Sequence, residues 1–206
     1  PTSTVINLSN VFGEDTDTLR FVKRYIRATD CDLFFADGAI FVEGQAERIL
    51  VPHFIRNHYD ELWQRYISLI DVGGSNAKRF KPLIKLLGLT SLVVTDLDAC
   101  LPTRVTRSDG VITTVPKKTK PCRGAGQVTT NPTLKFWHPK LNDIDELLSA
   151  DVIHNTRIDD EYDLYMAYQK PIIDPDNSSE ELIPRTLEDA LVYANFSALG
   201  NTFGSS

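Results

Sequence analysis

"GAIFVEGQAERIL", residues 38–50, decides how this chain is read. It opens on an unbroken apolar run, the pattern of a strand buried on both faces. From Gln45 to about Tyr59 the sequence reads as a helix, with Pro52 expected to kink it. Gly44 makes the turn between the two. Two acids, Glu43 and Glu47, flank that changeover one helical turn apart.

The same alternation continues downstream. "RYISLIDVGG" predicts a second strand at about 66–72, ended by Gly73 and Gly74. "NAKRFKPLIKLLG" predicts a helix with Phe80, Ile84 and Leu87 inward and Gly88 as its stop. "TSLVVTDLD" predicts a third strand at about 91–96. Strand, helix, strand, helix, strand is the rhythm of an α/β fold, a parallel sheet flanked by helices. Upstream, Leu19, Phe21, Val22, Tyr25 and Ile26 recur at helical spacing over residues 14–30.

Beyond Asp98 the pattern changes. Residues 99–133 are rich in Thr, Pro, Gly and Lys and predict a long loop, with a hairpin at "GVITTV". Residues 141–170 are expected to form an added helical segment. "PRTLEDALVYANF" predicts a closing helix, with Thr186 as N-cap and Asp189 approximating a capping box. The expected organisation is a leading helical segment (1–30), a core with a basic loop (31–140), a helical, acidic insert or extension (141–183) and a closing helix (184–206).

The chain has 206 residues, of which 42% are hydrophobic, enough for a real core. No apolar run reaches the roughly 18 residues of a membrane span, and no signal peptide is read. Cys31, Cys100 and Cys122 are too scattered for a zinc site, so a reducing, cytoplasmic compartment is expected. The chain begins at Pro1 without a methionine, which suggests a piece of a longer protein.

The net charge of −6 hides an asymmetry. Residues 104–140 hold eight Lys/Arg against one acid, Asp109, so that window carries +7 and the remainder −13. The basic side chains are Arg104, Arg107, Lys117, Lys118, Lys120, Arg123, Lys135 and Lys140. Such a window suits a polyanion, although a solvated loop would look the same. Asp159, Asp160, Glu161 and Asp163 form an acidic counterpart.

In an open parallel sheet, sites form at the carboxyl ends of the strands. Glu43 lies at the end of strand one, Asp96 at the end of strand three, and Asp98 two residues on. With Glu47 in the first helical turn, four carboxylates are expected to converge on one rim. Two such charges about 4 Å apart repel by roughly 4 kcal/mol at an effective dielectric of 20. A hard divalent cation, Mg²⁺ or Mn²⁺, relieves that repulsion. Taken singly, Glu47 also reads as a solvated first-turn acid and Asp98 as a turn residue. "DVGGSN" reads either as a plain turn or as backbone that approaches a phosphate. No P-loop motif is present.

"VEGQAE", the central "GG" and "TDLD" resemble the Toprim signature of topoisomerases, bacterial primases and several nucleases. The longer wording "DLFFADGAIFVEGQAERILVPHF", "VVTDLD", "TTNPTLKFWHP" and "RTLEDALVYANF" resembles the C-terminal nuclease region of the OLD (overcoming lysogenization defect) family endonucleases. That resemblance implies a Toprim, Rossmann-like fold and metal-dependent nicking and cleavage of DNA with two Mg²⁺ or Mn²⁺ ions. It implies that Glu43, Asp96 and Asp98 are catalytic and that Glu43, Glu47, Asp96, Asp98 and Glu188 hold metal. Without it, Glu188 reads as a helix-dipole acid. Lys117, Lys118, Lys120 and Arg123 become candidate DNA contacts.

The implied partners are DNA and an N-terminal ABC-type ATPase domain of the same protein, through which alone ATP would act. A homodimer and a helicase are further candidates, and no membrane is expected. One departure stands out. The family is expected to carry a catalytic lysine past the last helix, and no lysine follows Lys170.

Two rival readings compete. "LVVTDLDAC" resembles the opening of a haloacid-dehalogenase phosphatase with Asp96 as nucleophile, although Cys100 stands where Thr or Val is usual. The other is a non-catalytic Toprim module that binds DNA or an assembly partner. Phe136 and Trp137 read as core aromatics or as base-stacking ones, and "TTNP" as a turn or as a phosphate contact.

Overall fold

A computed structural model describes residues 28–150, 156–158, 162–173 and 181–196, with four isolated positions upstream. The expected helix over 14–30 therefore lies almost wholly outside the described residues, as do Asp159, Asp160 and Glu161. The chain divides into two compact units, Pro1–Val94 with Ile153–Tyr165, and Thr95–Val152 with Met166–Ser206.

The first unit is built on the strands that the apolar runs predict. They are β1 (Gly38–Val42), β2 (Ile67–Asp71) and β3 (Ser91–Val94). β1 pairs in parallel with β2 on one side and β3 on the other. All five β1 residues are buried, which is why the run carries no polar alternation. Between these strands run α1 (Gln45–His58), α2 (Asp60–Trp63) and, after a 3-10 turn at Ala77–Phe80, α3 (Lys81–Leu87). α1 continues through Pro52 to His58. Gly88 stops α3 in the left-handed conformation at φ 58°. Phe41 and Phe80 meet with ring centroids 5.3 Å apart, beside Val42, Leu83 and Ile84 in the core.

The expected helical segment over 141–170 is corrected. Among the described residues there, only α5 (Ile144–Ser149), which follows the short α4 (Pro132–Phe136), is helical. Two antiparallel strands follow, β7 (Thr156–Ile158) and β8 (Tyr162–Ala167). They extend the sheet to the order β2-β1-β3-β8-β7. The cause is period-two patterning, because Leu164, Met166 and Tyr168 are buried in alternation.

The second unit contains the stretch read as a long loop. Much of it is instead a hairpin of β4 (Ala99–Thr106) and β5 (Ile112–Lys118), with β6 (Val128–Thr129) paired to the start of β4. β9 (Ile172–Ile173) pairs with β10 (Glu181–Leu182). α6 (Leu187–Ala194) closes the described chain. Thr186 caps it by accepting a hydrogen bond from Asp189 N, and the Asp189 carboxylate accepts one from Arg185 N. Leu97, Leu134, Ile144, Leu147 and Met166 fill this unit's core.

Candidate metal site

In the first unit the rim is set by the ends of β1 and β2. Val72 N donates to Val42 O at 2.9 Å and Gly74 N to Glu43 O at 2.8 Å, so the backbone ties the two strand ends together. Glu43 follows β1 directly and is half-buried. Glu47 lies in the first turn of α1 and is only 8% exposed. Among the described residues no hydrogen bond or ion pair engages its carboxylate.

Gly44 precedes the helix with an extended backbone (φ −150°), so conformational freedom does not require glycine there. A Cβ at position 44 would lie 3.2 Å from Glu47 Oε2, so that carboxylate would have to give way by a few tenths of an ångström.

Sequence reasoning missed a third acid on this rim. Asp71 ends β2 and accepts hydrogen bonds from Gln45 Nε2 at 2.6 Å and Gly73 N at 2.9 Å. Its signal was its position, since it closes a predicted strand just as Glu43 does. The same bonds settle "DVGGSN" as a turn, with Gly73 and Gly74 at φ 62° and 82° and both N–H groups already committed.

In the second unit, Asp96 and Asp98 do not continue a strand. β3 ends at Val94, and Asp98 is left-handed at φ 47°, so strand alternation does not place the two acids. Side chains hold this loop instead. The Gln169 amide accepts from Leu97 N at 2.9 Å and donates to Asp96 Oδ1. Asn131 Nδ2 donates to Asp96 O at 2.8 Å and to Thr95 Oγ1 at 2.6 Å. Thr129 Oγ1 donates to Leu97 O at 2.6 Å, and Thr130 N to Asp98 O at 3.1 Å. "TTNP" thus spends its polar groups on the three carbonyls of Asp96–Leu97–Asp98. Its reading as a phosphate contact is replaced by a clamp.

Burial pushes the Asp98 carboxyl above the usual range, with Lys118 and Arg185 opposing the shift. Two exposed cations therefore act on this acid, one at the base of the hairpin and one beside the N-cap of α6. Glu188 is exposed in the first turn of that helix. Burial likewise pushes the Cys100 thiol up, which marks it as a core residue rather than a nucleophile. Trp137 is buried, while Phe136 is exposed with Lys135 Nζ 5.6 Å from its ring centroid.

Two of the candidate DNA contacts have internal partners. Arg123 Nε pairs with Glu181 at 2.6 Å, and Lys120 Nζ lies 5.4 Å from the Tyr193 ring centroid. Lys170 Nζ donates to the carbonyls of Leu147, Leu148 and Ala150 at the end of α5.

The donor set fits a hard cation. It consists of carboxylates at strand ends, one of them nearly buried over a glycine. Each unit by itself carries part of the expected set. Among the described residues no group of three or more His, Cys, Asp or Glu is gathered as a metal site.

The family model described as "Overcoming lysogenization defect protein-like, TOPRIM domain" matches residues 34–98. The chain is 30% identical over 179 residues to "Endonuclease GajA" of Bacillus cereus (strain HuB5-5), an alignment covering 86% of this chain and 22% of that protein. The chain thus spans about a fifth of that relative's length. No solved structure matches it significantly. The family match spans the "VEGQAE" and "TDLD" wording, and the α/β core fits it. Residues 34–98 are the Toprim domain of the overcoming-lysogenization-defect-like family.

Proposed function

We propose that this chain is the nuclease part of a larger ATPase–nuclease, and that it nicks and cleaves DNA by metal-dependent phosphodiester hydrolysis. The observation that carries the reading is Glu47. A carboxylate 8% exposed, without a partner among the described residues, is costly unless a cation joins it. It stands in the EGxxE motif that the family match covers. Glu43, Glu47, Asp96, Asp98 and Glu188 are the proposed ligands, with Asp71 added from the structure.

Two Mg²⁺ or Mn²⁺ ions would hold the scissile phosphate, activate water and stabilise the leaving oxygen. The chain's own groups prepare for that. Gln169 holds the Asp96 carboxylate in place by donating to its Oδ1. Asn131 and the two threonines keep Asp98 in its left-handed conformation. Lys118 and Arg185 supply positive charge beside Asp98 where a phosphate diester would approach. Arg185, beside the N-cap of α6, is a proposed basic group of this site. The phosphatase reading loses support because residues 34–98 match a Toprim domain. The 22% coverage of the relative is consistent with an ATPase domain as partner, while a homodimer and a helicase remain proposed.

The test is supercoiled plasmid with Mg²⁺, Mn²⁺ or EDTA. Nicking that needs metal and is lost in Glu43→Ala, Glu47→Ala and Asp96→Ala supports the reading. Hydrolysis of a small phosphate ester without DNA cleavage would sink it. DNA binding without any cleavage would favour a non-catalytic module.

A further inference from the structure

The hairpin of β4 and β5 contributes little to its own unit. From Leu101 to Lys118 every residue is exposed except Thr103 and Thr113, which are half-buried. A two-stranded ribbon with both faces in water gains little by folding alone. Such an element is kept for what it touches.

Its edges argue against another strand. β6 pairs only with Ala99 and Cys100, so β4 beyond Cys100 and all of β5 are open edges among the described residues. Pro102 stands opposite Pro116. Arg107 N donates to Val111 O and Thr119 N to Ala99 O. Counting by twos from either bond puts the proline pair on a non-hydrogen-bonded rung, with both nitrogens facing outward. Each open edge therefore lacks a donor midway, which resists strand addition. Recognition must then go through side chains.

Those side chains are basic. Arg104, Arg107, Lys117 and Lys118 face one acid, Asp109, whose carboxylate accepts from Val111 N within the turn. The ribbon carries +3 in a chain of −6. Among the described residues no ion pair engages Arg104, Arg107 or Lys117, whereas Lys120 and Arg123 lie against Tyr193 and Glu181. The ribbon starts at the residue after Asp98, and Lys118 stands opposite Cys100 at its base. Eight residues at about 3.3 Å reach roughly 26 Å, or about eight base pairs of duplex.

We propose that Ala99–Lys118 is an arm that lies along duplex DNA and holds it beside the Asp96–Asp98 loop, with Arg104, Arg107, Lys117 and Lys118 on phosphates. The placement rests on the nuclease reading, but the arm is tested without cleavage.

The experiment titrates the 206-residue chain into a fluorescent 20-base-pair duplex in EDTA across a salt series. Arg104→Ala/Arg107→Ala is expected to flatten the slope of log K against log salt by about 2 and weaken binding roughly tenfold or more near 0.1 M salt. Arg104→Lys/Arg107→Lys, which keeps the charge, is expected to retain the slope. Unchanged affinity and slope in the alanine variant, with its circular dichroism intact, would overturn the proposal. So would a wild-type chain that binds no duplex. If Leu101→Ser/Val115→Ser instead abolishes self-association by sedimentation while the alanine variant binds DNA normally, the ribbon docks protein and the proposal fails. A wild-type slope with no plasmid nicking in Mg²⁺ or Mn²⁺ would keep the arm and remove the nuclease reading alone.

Discussion

Glu43 and Glu47 stand on secondary structure, whereas Asp96 and Asp98 stand on a loop that side chains hold in place. The first pair needs only a buried strand, a glycine and a helix start, all within residues 38–47. The second needs Gln169, Asn131, Thr129 and Thr130, which lie 32 to 73 residues away in the chain. Local elements make the first pair tolerant of change around it. A distributed hydrogen-bond network makes the second pair sensitive, because each lost partner leaves buried polar groups unpaired.

The largest expected effect follows from Asn131. It is fully buried, donates to Thr95 Oγ1 and Asp96 O, and accepts from Thr133 N as the cap of α4. Asn131→Ala is expected to cost about 3 kcal/mol, read as the midpoint of urea denaturation. A loss below about 1 kcal/mol would show that the loop does not depend on this clamp.

Gln169→Leu comes next, at about 2 kcal/mol, because Leu97 N is left without its acceptor. It is also expected to lower metal affinity about 10- to 100-fold through Asp96, measured by calorimetry. Unchanged affinity would separate the clamp from the metal.

Tyr168→Phe sharpens the comparison through pH. The hydroxyl donates to Leu147 O at 2.9 Å, and burial pushes its pKa up to about 12. The folded value is raised, so the stability it contributes is fully present below about pH 10 and is lost as pH rises towards 12. The variant is expected to lose about 1 kcal/mol at neutral pH. It should show a flatter decline in denaturation midpoint above pH 10 than the wild type does.

The smallest effect on stability is expected on the local side. Gly44→Ala should change folding by about 0.5 kcal/mol or less, since its backbone is open to alanine. Its Cβ must push Glu47 Oε2 aside, so cleavage should fall several-fold while the melting temperature holds. Equal loss of both would mean that the glycine serves packing rather than the carboxylate.

The contrast also explains what was legible. β1, α1, β2, α3 and β3 could be read because buried parallel strands write continuous apolar runs. Glu43 and Glu47 could be read because their supports are their neighbours. The strands β7 and β8 were missed because "DEYDLYMAY" mixes acids with aromatics, and its alternation shows only once Leu164 and Met166 are known to be inside. The ribbon was under-read for the opposite reason. Both of its faces meet water, so it carries no inward pattern. The clamp on Asp96–Asp98 was illegible, since nothing in "TTNP" or Gln169 names carbonyls 32 to 73 positions away.

The central proposal is that the glutamates of "VEGQAE" and the aspartates of "TDLD" are divalent-metal ligands. Titration calorimetry with Mn²⁺ on the wild type, Glu47→Ala and Asp96→Ala tests it most directly. Binding by the wild type, weakened at least about tenfold in both variants with unchanged circular dichroism, is the expected result. Wild-type Mn²⁺ binding in either variant would contradict it.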